Sequence, residues 1–321
     1  MTAVILINWN GADDTLACLA SLEKASGDFC VVVADNGSTD DSMERLAAYA
    51  ATSPLRLELL PLGRNWGFAA GNNRAIAFAK EHLSPDSYML LNNDTEVAPD
   101  FMTNLQDIRA KHPGLKVLGP LICYWSDKTR IWSCGGRLVF GSRKAYYRDA
   151  DVSALPSFDT EHHLMDVQFI SGCALFVDAS LVDDDGRLLT ERFFFGEEDY
   201  EFALRMRKAG EEMMIVCDSV IWHKVSSSAR NFSSKGTLGR DYIYYLGRLI
   251  ACRDYYSPLS FALISLLTSL SCTRYFHRDG LGWGEAIALS GRLLREARRK
   301  DGINYDDFKA IVLEGSYFNK K

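Results

Sequence analysis

Short apolar runs rich in β-branched residues alternate with amphipathic stretches through the first hundred residues of the chain. Strands separated by segments long enough to be crossover helices predict a parallel sheet covered on both faces. Residues 4–7, 30–34, 56–60 and 88–91 read as strands, and residues 14–24, 41–50 and 69–81 as the helices between them. The second helix opens after Ser38, Thr39 and Asp40, short polar residues suited to capping free backbone N–H groups.

Past Asp94 the pattern changes. Residues 99–110 read as a helix and 116–120 as a strand, while 131–167, carrying Gly135, Gly136 and Gly141, reads as a loop-rich antiparallel insertion. A buried strand over 169–177, a helix over 197–209, a strand over 213–217 and a strand or turn over 218–223 follow. From Asp241 onward the pattern is helical, with tyrosines first, then an apolar run from Leu259 to Leu270, then a basic segment.

Composition narrows the classes. The 321 residues, 47% hydrophobic, suffice for a large core. A net charge of -6 argues against nucleic acid as a partner. The 8 cysteines stand singly with no CxxC pair, which fits reduced thiols packed as small core residues better than a disulfide framework or a zinc knuckle. The N-terminus runs directly into a strand, without a basic leader or a small-residue cleavage site, so a cytoplasmic protein is expected. The Leu259 to Leu270 run is about half the length of a membrane span and is interrupted by Ser260, Ser265, Thr268 and Ser269, so it is not expected to cross a bilayer.

Two polar turns end apolar strands, one from Asp35 to Asp40 and one at Asn92, Asn93 and Asp94. Carboxylates at the C-terminal ends of neighbouring strands point into the crevice where open α/β sheets bind ligands. A nucleoside diphosphate fits such a pair. Asp35 is suited to accept a hydrogen bond from the imide N–H of a pyrimidine base, or else it caps an Asx turn. The segment from Gly63 to Arg74 leads into a helix whose first amides, with Arg64 or Arg74, are placed to hold phosphate or ribose oxygens, or it is a plain turn. Asp94 is the better ligand for a Mg2+ or Mn2+ ion bridging a diphosphate, the alternative again being a capped turn. Four acids, Glu197, Glu198, Asp199 and Glu201, follow Phe193, Phe194 and Phe195 at a helix start, where the helix dipole alone favours them. A carboxylate against that aromatic wall has its pKa raised toward that of a general base, so Asp199 or Glu198 is the catalytic candidate. His223, shortly before Ser226, Ser227 and Ser228, is a metal-ligand candidate or a hydrogen-bonded structural residue, with Lys224 placed to neutralise phosphate.

Taken in order, Asn8-Trp9-Asn10, Asp35 to Asp40, Asn65 to Asn73, Asn92-Asn93-Asp94, Ser171-Gly172-Cys173 and Gly196 to Asp199 resemble the motif series of family-2 glycosyltransferases over roughly residues 3 to 250. The branch most similar is that of bacterial rhamnosyltransferases and related cell-surface polysaccharide enzymes. The resemblance implies a GT-A fold, a Rossmann-like sheet merged with a smaller antiparallel sheet on the acceptor side, followed by C-terminal helices. It divides the chain into a nucleotide-sugar half (1–98), an acceptor and catalytic half (99–250) and a helical appendage (251–321). It further implies a UDP- or dTDP-sugar donor, a divalent metal, and inversion at the anomeric carbon. By position, Asp35 contacts the base, Asn8, Asn10, Asn65, Gly71, Asn72, Asn92 and Asn93 the nucleotide sugar, Asp94 and His223 the metal, and Asp199 is the base, with Glu198 beside it. Asn92 stands where the family's Asp-x-Asp element has its first Asp.

L-Rhamnose is the first expectation for the sugar, with galactofuranose, mannose, galactose and N-acetylglucosamine open. The acceptor expected is a saccharide or a polyprenyl-linked saccharide at the cytoplasmic face of the inner membrane. Arg292, Arg295 and Arg299 share a helical face, which suits an interfacial helix on an anionic membrane, a packed appendage or a homodimer contact. A rival from another class is a sugar-nucleotide-binding subunit without turnover, motivated by Asn92. A nucleotidyltransferase is disfavoured because residues 7–11 are not a basic glycine-rich loop.

Overall fold

The computed structural model describes residues 1–156, 163–225 and 236–319. Four parallel strands, β1 (Thr2–Asn8), β2 (Phe29–Asp35), β3 (Leu57–Pro61) and β4 (Ser87–Asn92), are joined by helices α1 (Ala12–Leu22), α2 (Ser42–Ala50) and α3 (Phe68–Leu83). This is the expected β-α alternation. The run at 2–8 is apolar at every core position because both faces are covered: Val4 and Leu6 pack toward α1, while Ala3 and Ile5 pack toward α3.

The chain then adds β5 (Thr95–Val97), α4 (Phe101–Lys111), β6 (Val117–Tyr124), β7 (Asp127–Ser133), the hairpin β8 (Gly136–Val139) and β9 (Ser142–Ala145), β10 (Leu164–Val167), β11 (Ala174–Asp178), α5 (Glu198–Ala209) and β12 (Met213–His223). The strands β10, β12, β6 and β11 do not build a sheet of their own. They continue the first one in the order β10-β12-β6-β11-β4-β1-β2-β3, with β11 antiparallel to β4 and only β8–β9 separate.

Three sequence expectations are corrected. Residues 213–223 form a single strand whose register jumps between Val216 and Val220, and β6 runs on through Pro120 to Tyr124. The jump lies next to Pro120, which has no N–H to give, and the looped-out segment is held by Asn104, which donates to the Asp218 carbonyl, and by the Ser219 hydroxyl, which donates to Phe101 O. The run at 169–177 is divided: Phe169 bridges to Gly136, residues 171–173 turn, and only then does β11 begin. Its apolar character reflects burial of Phe169 and Ile170 rather than strand continuity.

Helices α6 (Gly236–Tyr255), α7 (Pro258–Arg278), α8 (Trp283–Arg299) and α9 (Tyr305–Phe308) complete the fold on the α3 and α5 side of the sheet. The expected boundary at 250/251 falls inside α6, whose Leu246, Leu249 and Ile250 are fully buried. α7 extends well past the apolar run, to 21 residues with a mean hydropathy of 1.3 over its best window and 22% of that window buried. It is long and apolar enough to cross a membrane by length and composition. All eight cysteines are buried and unpaired, as expected.

Candidate active site

The site is built where strands end. Asn8 and Asp35 are register partners at the ends of β1 and β2, and Ile7 pairs with Asn92 at the end of β4, so three polar residues line one edge. Asp35 is 4% exposed; Asn8 Nδ2 donates to its Oδ1 at 2.8 Å, and the Ser38 amide donates to its Oδ2 at 3.0 Å. Asn8 is fully buried and also accepts from the Thr15 hydroxyl at 2.8 Å. It therefore sets the carboxylate rather than reaching open solvent. Asn10, at φ 50, accepts from the Thr39 amide at 2.8 Å and ties the two turns together. Exposed Trp9 stands on the same rim.

The segment leading into α3 closes against this edge. Asn36, to which sequence reasoning gave no role, donates to Asn65 Oδ1 (3.2 Å) and the Gly67 carbonyl (3.1 Å) and accepts from the Trp66 amide (2.9 Å). Gly71 packs on the Asn36 amide, and Asn72 is buried and donates to Phe68 O at 2.9 Å. Gly67, at φ 83, lies so close to Phe194 that a Cβ there would be 2.2 Å from the Phe194 carbonyl oxygen. The loop entering α3 and the loop entering α5 thus touch at Gly67. Arg64 and Arg74 each lie 3.6 Å from the centre of the Trp66 ring, so their guanidiniums are stacked rather than aimed at a ligand. Asn73 clamps residues 188–191, giving to Leu189 O and taking from the amides of Leu188 and Leu189.

After β4 the two asparagines diverge. Asn93 Nδ2 donates to the Thr15 hydroxyl at 2.9 Å, whereas the Asn92 side-chain amide makes no hydrogen bond among the described residues and is only half-buried. Asp94 and His223 meet from the ends of β4 and β12, the residues between having brought β5 alongside β12. Asp94 Oδ1 and His223 Nε2 are 3.1 Å apart and both side chains are 8% exposed. That distance is an ion pair's, and it is also close to the roughly 3 Å between adjacent corners of an octahedral ion, so the two side chains could supply two ligands to a divalent cation. The buried Nδ1 of His223 has no partner among the described residues, and the ring is held edge-on by Trp132 at 4.4 Å. No group of three or more acidic, histidine or cysteine ligands occurs among the described residues. Lys224 is ion-paired with Asp14 at 2.9 Å. Ser226, Ser227 and Ser228 lie outside the described residues.

The four acids at the start of α5 have four different environments. Glu197, at φ 70, forms a buried two-point pair with Arg248 of α6. Glu201 accepts from the Tyr255 hydroxyl and is ion-paired with Arg205 at 3.4 Å. Glu198 is buried with Oε2 unpartnered, and burial, with the Asp199 charge beside it, pushes its carboxyl up to about 8. Asp199 alone turns to the strand edge: Oδ2 accepts from the Gly172 amide at 3.4 Å and Oδ1 from Arg143 of β9 at 3.1 Å. Gly172 lies against both Asp199 and Phe68 of α3, and the Asn92 amide donates to the neighbouring Cys173 carbonyl at 2.8 Å. Asp199 therefore adjoins the Asn92 strand end and the α3 start. Sequence reasoning missed Arg143, Gly172 as a donor, and Arg248, because these partners are far along the chain and carry no local signal.

Residues 3–157 match the family model for glycosyl transferase family 2. The chain is 28% identical over 246 residues to an N-acetylglucosaminyl-diphospho-decaprenol L-rhamnosyltransferase of Mycobacterium tuberculosis, covering 72% of this chain and 78% of that one. It is 26% identical over 210 residues to the low-salt glycan biosynthesis hexosyltransferase Agl10 of Haloferax volcanii, covering 64% of this chain and 61% of that one. Among solved structures, the mannosyltransferase PcManGT of Pyrobaculum calidifontis, in complex with GDP-Man and Mn2+, is similar at a TM-score of 0.56 and 17% identity, covering 100% of this chain and 80% of that one. TarS 1-349 of S. aureus is similar at 0.54 and 14%, covering 100% and 92%.

Proposed function

We propose that this chain, a family-2 glycosyltransferase of GT-A fold in the rhamnosyltransferase-like branch, transfers a sugar from a UDP- or dTDP-sugar donor, with L-rhamnose first, to a saccharide or polyprenyl-linked saccharide for cell-surface polysaccharide at the cytoplasmic face of the membrane. The observation that carries this reading is the convergence of Asp35, Asp94 and Asp199 on one sheet edge, from three separate strand or helix ends.

In the proposed reaction Asp35, held by Asn8 and Ser38, takes the imide of the pyrimidine base, and the Asn92 side-chain amide, which makes no hydrogen bond among the described residues, contacts ribose or sugar. Asp94 and His223 would hold Mg2+ or Mn2+, whose charge stabilises the departing diphosphate. Asp199 removes the proton from an acceptor hydroxyl, that oxygen attacks the anomeric carbon, and the nucleoside diphosphate leaves from the opposite face with inversion. Arg143 and the Gly172 amide keep the Asp199 carboxylate turned toward the acceptor. Glu198 is 8% exposed with its Oε2 buried and unpartnered among the described residues, so its burial makes it the poorer candidate to meet an acceptor hydroxyl. No covalent intermediate is needed with so good a leaving group.

The test is calorimetric titration with UDP, dTDP and GDP with and without Mn2+, then turnover of the matching sugar nucleotides by the parent chain and Asp199→Asn. Metal-dependent binding of one pyrimidine diphosphate, with binding kept and turnover lost in Asp199→Asn, is the expected result. Binding without turnover in the parent chain supports the non-catalytic subunit instead, and absence of any nucleotide binding overturns the site.

A further inference from the structure

Although the chain carries a net charge of -6, several long segments contain neither aspartate nor glutamate, among them Ile131 to Arg148, which includes the β8–β9 hairpin, and Pro258 to Arg278, which is α7. The fold brings them together. The hairpin tip at Gly141 sits on Ile264 of α7, a Cβ there falling 2.6 Å from the isoleucine side chain, and Phe140 packs edge-on to Tyr256 at 5.9 Å.

Both segments expose apolar side chains with basic flanks. On α7, Leu259, Leu263, Leu266, Leu267 and Leu270 are all exposed, Leu259 by 82%, and at 3.6 residues per turn they form one stripe that Arg274 and Arg278 continue. On the hairpin, exposed Val139 and Phe140 form the tip, with exposed Arg137 and Lys144 behind them. The opposite face of α7 is packed inward through Ile264, Cys272 and Phe276, and Thr273 bonds Ser290 of α8 at 2.7 Å. The helix is thereby fixed along the surface of the domain. Arg292 of α8, one of the three arginines expected to meet a membrane, is half-buried, tied to Glu296 and stacked on Tyr317 at 3.7 Å, whereas Arg278 is exposed while it stacks on Tyr275 at 4.5 Å.

We propose that the exposed leucine stripe of α7 and the β8–β9 tip together form a docking surface for an anionic lipid membrane. Apolar side chains enter the headgroup boundary while Arg274, Arg278, Arg137 and Lys144 meet lipid phosphate, the composition that favours helices lying in an interface. The same hairpin carries Arg143 to Asp199, so the surface adjoins the catalytic base. This rests on the proposed acceptor reading only for its purpose: a lipid-linked saccharide would reach Asp199 from the membrane side.

Co-sedimentation of the purified chain with phosphatidylcholine vesicles, with and without phosphatidylglycerol, tests it, alongside light scattering and UDP calorimetry on every variant. Expected are binding to the anionic vesicles, about a fivefold loss for each of Arg274→Gln and Arg278→Gln, and loss to background for Leu263→Asp/Leu267→Asp with UDP affinity unchanged. No binding of the parent chain to anionic vesicles overturns the proposal. So does a dimer in solution that the leucine variant turns into a monomer, because the stripe is then the seat of a second copy. Vesicle binding without nucleotide binding leaves this surface standing while the proposed reaction falls.

Discussion

Arg248→Met tests how the catalytic helix is held. Arg248 is 2% exposed, lies 3.8 Å from the centre of the Tyr200 ring and 4.8 Å from that of Tyr244, and gives two hydrogen bonds to Glu197, itself 5% exposed. Burial alone pulls its pKa down, yet the Glu197 carboxylate more than offsets this and holds it above the ordinary arginine value. Methionine keeps much of the packing and deletes the cation, leaving a buried carboxylate at the residue that starts α5. Breaking one side of such a pair costs about 3–5 kcal/mol, a fall in Tm on the order of 10 °C. The assay is urea unfolding followed by far-UV circular dichroism, read as a change in midpoint at constant slope. The double variant Glu197→Gln/Arg248→Met removes both charges and is expected to recover most of the loss, because the penalty belongs to the orphaned charge rather than to the missing pair. An Arg248→Met loss below about 1 kcal/mol, or a double variant no better than the single, would refute this account.

Further outcomes follow from the same geometry. Glu198 has a folded-state value of about 8 against 4.5 in the unfolded chain, so the unfolded state releases its proton first and stability falls as pH rises from about 4.5 to about 8. Glu198→Gln is expected to remove that slope, raising stability over the parent by a few kcal/mol at pH 9 and little at pH 4; parallel denaturation midpoints across pH would contradict it. Gly67→Ala, at φ 83 and against the Phe194 carbonyl, is expected to cost at least about 2 kcal/mol and to raise KM for the donor, whereas Gly63→Ala, at φ 76 with nothing within 4 Å, costs about 1 kcal/mol and leaves KM alone. Asp94→Asn and His223→Ala are each expected to lower nucleotide affinity at least tenfold with Mn2+ present and to leave metal-free affinity unchanged, as read by calorimetry; equal losses with and without metal would move both residues out of a metal site.

The parallel part of the fold, β1 to β4, was legible in the sequence because a buried parallel strand must be apolar on both faces and must be followed by a helix, and these demands are local. The turns at Asp35, Asn92 and Asp94 were legible for the same reason: a polar residue ending an apolar run marks a strand end, and strand ends mark the crevice. The second half was less so. The bulge at Pro120 and the turn at 171–173 depend on what a neighbouring strand can donate, which the run of hydrophobic residues does not encode.

Among the acids at 197–201 the sequence supplied the cluster but not the division of labour. Glu197 and Asp199 have the same local chemistry, and only the partners brought by distant segments, Arg248 in one case and Arg143 with Gly172 in the other, make one a structural anchor and the other the residue facing the crevice. Asn8 and Asn10 were read as nucleotide contacts; in the structure Asn8 donates to Asp35 and Ser38 and accepts from Thr15, and Asn10 accepts from the Thr39 amide, so both shape the turn, a role the sequence did not show. Periodicity and residue type determined the layers, the strand ends and the chemical inventory, since these follow from local sterics and solvation. Which charge meets which, and which apolar face stays uncovered, was decided by tertiary structure, because burial and pairing are set by residues far away along the chain.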